Sequence, residues 1–243
     1  MNKELIQKRF ERKLNQYNKH AKIQKTMSEK LVSLNSDIWD KEYNAVLEIG
    51  CGTGLFTKNV LKRLNFKKYE CIDIVPECKD YIEKISNQVE FYPCDAEEYI
   101  KKCDNFDLII SNASLQWIEN LPEFIEQMYT KLNNQGAILF SVFGKENFKE
   151  INKVTGVSLD YYSKNEWEKV LKKYDYKIDE EIIELTFTAP KDVLKHIQNT
   201  GVNAISTETW TKKDLINFEK SYNVLCKNKP ILTYNPVYIK IIK

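Results

Sequence analysis

The 243-residue chain combines 42% hydrophobic and 30% charged residues with only 7 Gly and 6 Pro, a balance that excludes disordered and fibrous classes. Its 37 basic and 35 acidic side chains leave a formal charge of +2, so no global field draws it to nucleic acid. Six cysteines form no CxxC pair and the two histidines stand at no zinc-type spacing, so no metal is expected. No apolar run reaches the ~18 residues of a membrane span, and the free cysteines fit a reducing compartment, so a cytoplasmic monomer that meets no membrane is expected.

From Lys3 to Leu34 the apolar residues Leu5, Ile6, Phe10, Leu14, Tyr17, Ala21, Ile23, Met27 and Leu31 recur at helical spacing, and helices with a break near Asn18 are predicted. The period then changes. Ala45-Val46-Leu47-Glu48-Ile49 is a short apolar run closed by three glycines, as expected of a strand buried on both faces. Strands are predicted at Tyr69–Ile74, Val89–Tyr92, Phe106–Ser111 and Ala137–Phe143, with helices at 55–65, 77–86 and Pro122–Leu132 between them. Strict alternation over 45–143 implies a parallel α/β sheet with helices on both faces. Beyond Gly144 the pattern predicts helices at Lys164–Tyr174, Lys191–Thr200 and Lys212–Tyr222, a strand near Tyr176–Phe187 and a last strand at Val237–Ile242. A final strand pair would close the sheet antiparallel, leaving 190–230 as a helical insertion.

Gly50, Gly52 and Gly54 lie between a strand and a helix, where a side-chain-free backbone turns tightly and lets a ligand approach. A nicotinamide fingerprint would need its third glycine at Leu55, which weakens that alternative, and a plain strand-to-helix turn remains another. Asp73 ends the second strand, where a carboxylate accepts from both ribose hydroxyls. Asp95 follows the third strand, placed to accept from an adenine amino group, and Ser111-Asn112 ends the fourth. These strand ends converge on one crevice.

Val46-Leu47-Glu48-Ile49-Gly50-Cys51-Gly52-Thr53-Gly54, with Asp73, Asp95 and Phe106-Asp107-Leu108-Ile109, resembles the motifs of class I S-adenosylmethionine methyltransferases over 45–143. The resemblance implies a Rossmann-like, mostly parallel seven-stranded sheet and S-adenosyl-L-methionine as cofactor. It implies that Gly50, Cys51, Gly52 and Gly54 meet the methionine portion, Asp73 and Ile74 the ribose, and Asp95 and Ala96 the adenine. Glu48 would orient the loop and the amino group, and Asn112 would complete the cofactor set.

A narrower resemblance covers nearly the whole chain. Phe10-Glu11-Arg12, Tyr17, His20-Ala21 and Gln24, then Leu115-Gln116-Trp117, then Leu194 to Ala204 and Leu232-Thr233-Tyr234, are similar to the malonyl-acyl-carrier-protein O-methyltransferases of biotin synthesis. Lys13, Leu14, Lys195 and Gln198 depart from that pattern. The resemblance implies esterification of a malonyl thioester carboxylate held by an acyl carrier protein. Tyr17, Gln116 and Trp117 would position that carboxylate, with His20 and Gln24 as secondary candidates. Residues 1–40 and 190–230 would form a helical lid over a core of 41–189, and 231–243 the last edge strand. In residues 1–30 nine basic side chains face three acidic ones, a face suited either to an acidic carrier or simply to solvent. A methyltransferase for another small carboxylic acid and a non-catalytic S-adenosylmethionine-binding protein are the alternatives.

Overall fold

The computed structural model describes residues 3–199 and 210–243. Three helices, α1 (Lys3–Glu11), α2 (Leu14–His20) and α3 (Lys22–Ser33), and the single turn α4 (Ser36–Trp39) precede the sheet. The breaks fall at Arg12-Lys13 and at Ala21, whose ψ of 42° leaves the helical region, rather than at Asn18. Then β1 (Glu42–Ile49), α5 (Leu55–Val60), β2 (Asn65–Asp73), α6 (Lys79–Ile85), β3 (Val89–Pro93), α7 (Ala96–Lys102), β4 (Phe106–Asn112), α8 (Leu121–Thr130) and β5 (Leu132–Phe143) alternate as expected.

Three strand starts fall several residues ahead of the expectation for one reason, β5 beginning at Leu132 rather than Ala137. β1 and β2 begin together at the pair Glu42↔Asn65, ahead of their apolar runs. Side chains at this end of the sheet are largely solvated, so hydrophobicity does not mark it, and the predicted helix over 55–65 stops at Val60. The short α7 escaped prediction although Asp95 caps it, accepting from the Glu97 N–H at 2.9 Å.

The chain continues through α9 (Lys149–Thr155), α10 (Lys164–Leu171), β6 (Asp175–Glu180), β7 (Ile183–Thr186), α11 (Pro190–Asn199), α12 (Lys212–Leu225), β8 (Ile231–Tyr234) and β9 (Pro236–Ile242). The main sheet has the order β3-β2-β1-β4-β5-β9-β6. Its first five strands are parallel, whereas β9 runs antiparallel to both β5 and β6. The single strand expected near Tyr176–Phe187 is two strands in different sheets, since β7 pairs with β8. Both partners break at the same level. Asn235 separates β8 from β9, and its Nδ2 donates to the Glu181 carbonyl at 3.0 Å between β6 and β7.

Successive residues of β1 feed opposite sides of the sheet, as strand geometry requires. Val46 joins Tyr69, Leu108, Leu139, Met27 and Leu31 on one face. Leu47 and Ile49 join Ile109, Ile138, Phe124, Ile125 and Trp167 on the other. Strand order reverses at β1, so the crevice opens beyond the carboxyl ends of β1 and β4.

Candidate active site

The loop after β1 is shaped by backbone that only glycine adopts easily. Gly50, Gly52 and Gly54 have φ of 69°, 53° and 74°. The Gly50 and Cys51 N–H groups donate to the Ile72 carbonyl at 2.8 and 3.2 Å, folding the loop onto the end of β2. A Cβ on Gly50 would lie 1.9 Å from Ser114 Oγ, whereas one on Gly52 would meet nothing within 4 Å. Gly52 therefore offers bare backbone to open space on the cavity side.

Asp73 is locked by that loop. One carboxylate oxygen accepts from the Gly52 N–H at 2.8 Å and the other from the Val75 N–H at 2.9 Å. Burial raises its pKa above the ordinary carboxylate value, although these backbone bonds pull the other way. Asp95 is equally engaged: beyond its capping bond, its second oxygen accepts from Lys3 Nζ at 2.5 Å, and Lys3 also pairs with Glu97. Sequence reasoning missed Lys3, because nothing in the pattern marks one lysine of a basic helix as facing inward.

One cavity gathers Gly50, Cys51, Gly52, Asp73, Ile74, Asp95, Ala96 and Asn112 with Tyr17, Gln24 and Trp117. Helices α1 and α2 roof it. Phe10 packs edge-on against Trp117 (centroids 5.7 Å) and Tyr17 (6.3 Å), Thr53 Oγ1 donates to Asn18 Oδ1 at 2.5 Å, and the Tyr81 hydroxyl donates to Asn15 Oδ1 at 2.8 Å. Burial, then Asp73 and Cys78, raise the pKa of Tyr17, keeping its hydroxyl protonated.

Four expected site residues do not line the cavity. Glu48 is 1% exposed and faces the core, where it accepts from the Tyr69 hydroxyl at 2.6 Å, so it braces β1 against β2. Burial raises its pKa despite that bond. Gly54 supplies the left-handed turn into α5 and faces α6, where an added Cβ would lie 2.2 Å from Ile85 Cδ1. Gln116 turns away because its Nε2 donates to the Ala113 carbonyl at 2.7 Å, holding a residue that itself lines the cavity at φ 51°. His20 ends α2 on the side of His196, whose pKa is lowered by burial first and then by His20 and Lys22.

The donor set fits S-adenosylmethionine on independent grounds. The cavity sets a bare glycine backbone and two carboxylates beside Gln24, which is 4% exposed and whose Oε1 is buried without a partner among the described residues. A buried orphan acceptor calls for a donor, and an amino-acid ammonium is one.

Comparison with known proteins decides the family. A methyltransferase domain model matches residues 17–181. A malonyl-[acyl-carrier protein] O-methyltransferase of Calditerrivibrio nitroreducens is 38% identical over 231 residues, 93% of this chain and 91% of that protein. One from Bacteroides thetaiotaomicron is 35% identical over 98% of this chain and 97% of its own length. The chain belongs to the malonyl-[acyl-carrier protein] O-methyltransferase family. The fold of this methyltransferase is shared with the N-methyltransferase NodS of Bradyrhizobium japonicum, solved with S-adenosyl-L-homocysteine (TM-score 0.57, 14% identity, 98% of each chain).

Among the described residues no group of His, Cys, Asp and Glu is arranged to hold a metal, and no helix is long and apolar enough to cross a membrane. The resembling segment Leu194 to Ala204 is placed only as far as Asn199; its remainder lies outside the described residues.

Proposed function

We propose that this chain methylates the free carboxylate of malonyl-acyl-carrier protein, using S-adenosyl-L-methionine, in an early step of biotin synthesis. One observation supports the chemistry above the others. At the Tyr17–Trp117 end the cavity offers a hydroxyl and an indole N–H, neither with a hydrogen-bond partner among the described residues. The cavity's one lining Lys or Arg among those residues is Lys3, engaged by Asp95 and Glu97. Lys3 lies seven residues before Phe10 on α1, roughly 10 Å away along the axis at ~1.5 Å per residue.

Neutral donors suit a carboxylate that must remain nucleophilic. A carboxyl group with a reference pKa near ~4 is ionised at neutral pH, so no general base is required. The bound cofactor supplies an electrophilic methyl on a sulfonium, and the electron pair of the broken S–C bond stays on sulfur as the methyl ester forms. Tyr17 and Trp117 hold the carboxylate in line, Asp73 and the Gly50–Gly52 backbone hold the cofactor, and Gln24 accepts from its ammonium. Opposite charges vanish along the reaction, so a site without water favours it. That is the role assigned to α1 and α2, which roof the cavity, whereas α11 and α12 contribute no lining residue to it among the described residues.

Transfer of labelled methyl to malonyl-acyl-carrier protein, with malonyl-coenzyme A and free dicarboxylic acids alongside, tests the reading. A base-labile ester formed preferentially on the carrier substrate supports it. Labelling of a free acid alone would reject the substrate, and no labelling despite tight cofactor binding would reject the reaction.

A further inference from the structure

A second cavity, about 930 Å³, lies between α9, α11 and α12 and meets α1 at Arg9. Arg9 lines this one while its neighbour Phe10 lines the first. Its volume is in the range of functional ligand sites. Four cations line it, Arg9, Lys191, Lys195 and Lys212, against a single acid, Asp214. Asp214 is already engaged in capping α12, accepting from the Thr211 N–H at 2.8 Å and the Thr211 hydroxyl at 2.7 Å. Lys191, Lys195 and Lys212 are exposed and have no ion-pair partner among the described residues.

Large apolar side chains stand beside these cations. Trp210 and Leu215 line the cavity yet remain 39% and 38% exposed, and Ile216 next to them is 51% exposed. A mouth that is both apolar and cationic suits an amphipathic acidic surface, since burial of these side chains is reinforced by charge complementarity.

Tyr161 also lines the second cavity, with its hydroxyl accepting from Asn147 Nδ2 at 3.1 Å. Tyr234, hydrogen-bonded to His196 Nε2 at 2.8 Å, lies within electrostatic range of both Tyr161 and Tyr17, and Tyr17 lines the methyl-transfer cavity.

Resting on the function proposed above, we infer that the α11–α12 cavity is the docking surface for the acidic carrier protein, with Lys191, Lys195 and Lys212 receiving its acidic face and Trp210 and Leu215 its apolar contacts. The thioester arm then reaches the methyl-transfer cavity across the Arg9–Phe10 turn of α1, whose two side chains line the two spaces.

The test compares two charge-reversed forms of the full chain, Lys191→Glu/Lys195→Glu/Lys212→Glu and Lys19→Glu/Lys25→Glu, with two substrates. One is malonyl-acyl-carrier protein and the other the malonyl thioester of N-acetylcysteamine, which has neither protein nor phosphate. The triple variant should raise KM for the carrier substrate more than tenfold at low salt, flatten its salt dependence, and leave both constants for the small thioester within twofold. The variant on α2 and α3 should change carrier KM less than twofold. Retained turnover of the small thioester shows that the triple variant is folded. The inference is overturned if carrier KM is unmoved by the triple variant, if the small thioester suffers equally, or if the α2–α3 variant alone weakens the carrier. Wild-type protein that methylates no carrier substrate would remove the underlying function as well, a different failure from turnover that is indifferent to these lysines.

Discussion

Replacing Asp73 with alanine separates ligand binding from folding, because the two consequences for the fold oppose each other. Its carboxylate accepts from the Gly52 and Val75 N–H groups, and losing those acceptors leaves donors short of partners, a penalty of about 1–3 kcal/mol. Burial, however, holds the Asp73 pKa above its ordinary value. A carboxyl with a raised folded pKa contributes most below its unfolded value of 3.8 and loses that contribution as pH rises through the folded value. At neutral pH the ionised group is therefore itself a burden that alanine removes. The two terms offset, and Tm should move by only a few degrees.

Affinity has no such compensation. Ribose hydroxyls bonded to a carboxylate are worth about 1.5–3 kcal/mol each, and since paired contacts are rarely additive about 3 kcal/mol is a fair total. At ~1.4 kcal/mol per tenfold, Kd for S-adenosylmethionine should rise about 100-fold in Asp73→Ala, as read by titration calorimetry. The same linkage makes wild-type affinity strengthen as pH rises through the raised Asp73 pKa, because the ionised carboxylate is the stronger acceptor for the ribose hydroxyls. A Kd within threefold of wild type, with Tm preserved, would refute the assignment of Asp73 to the ribose.

Glu48→Gln should be tolerated, since Gln Oε1 can still accept from Tyr69; because burial raises the Glu48 pKa, the variant's stability relative to wild type should improve as pH rises above 4.5, measured by urea unfolding. Trp117→Phe removes one neutral donor from the expected carboxylate position, and as that charge fades in the transition state the loss should appear mainly as a roughly tenfold rise in carrier-substrate KM, with kcat less affected. Gln116→Ala should act differently, lowering stability by about 1 kcal/mol through the lost Ala113 bond and perturbing S-adenosylmethionine binding along with turnover, in denaturation and calorimetry run together. Lys3→Met unlocks α1 from Asp95 and Glu97; stopped-flow binding should show faster cofactor association and release, and unchanged rates would contradict a closed α1 as the barrier.

What the sequence made legible follows from where the signal is physical and local. Strands buried on both faces announce themselves as apolar runs, and turns that demand positive φ announce themselves as glycine, so β1, its loop and the carboxylates at the ends of β2 and β3 were readable. Elements whose stability comes from one capping bond or from partners far along the chain were not. The seven-residue α7 and the sheet change at Asn235 leave little trace in hydrophobic period. Direction within a helix or turn was the harder problem. Gln116 and Trp117 are adjacent in a single 3₁₀ turn, yet one faces the Ala113 carbonyl and the other the cavity.

Charge direction was similarly hidden, and it changes the reading of the basic N-terminal segment. Counted along the chain, residues 1–30 form one cationic face; in three dimensions Lys3 is drawn inward to Asp95 and Arg9 turns to the second cavity. The cations that ring that cavity come mainly from α11 and α12, about 180 residues later. A linear tally cannot assemble them, because a docking surface is defined by which side chains share solvent and not by which share a segment. The helical insertion thus has a reason to follow the core strands. It places cations and exposed apolar side chains beside Arg9 of α1, so that a protein-borne substrate and a diffusible cofactor can approach one reacting centre along different faces of the same helix.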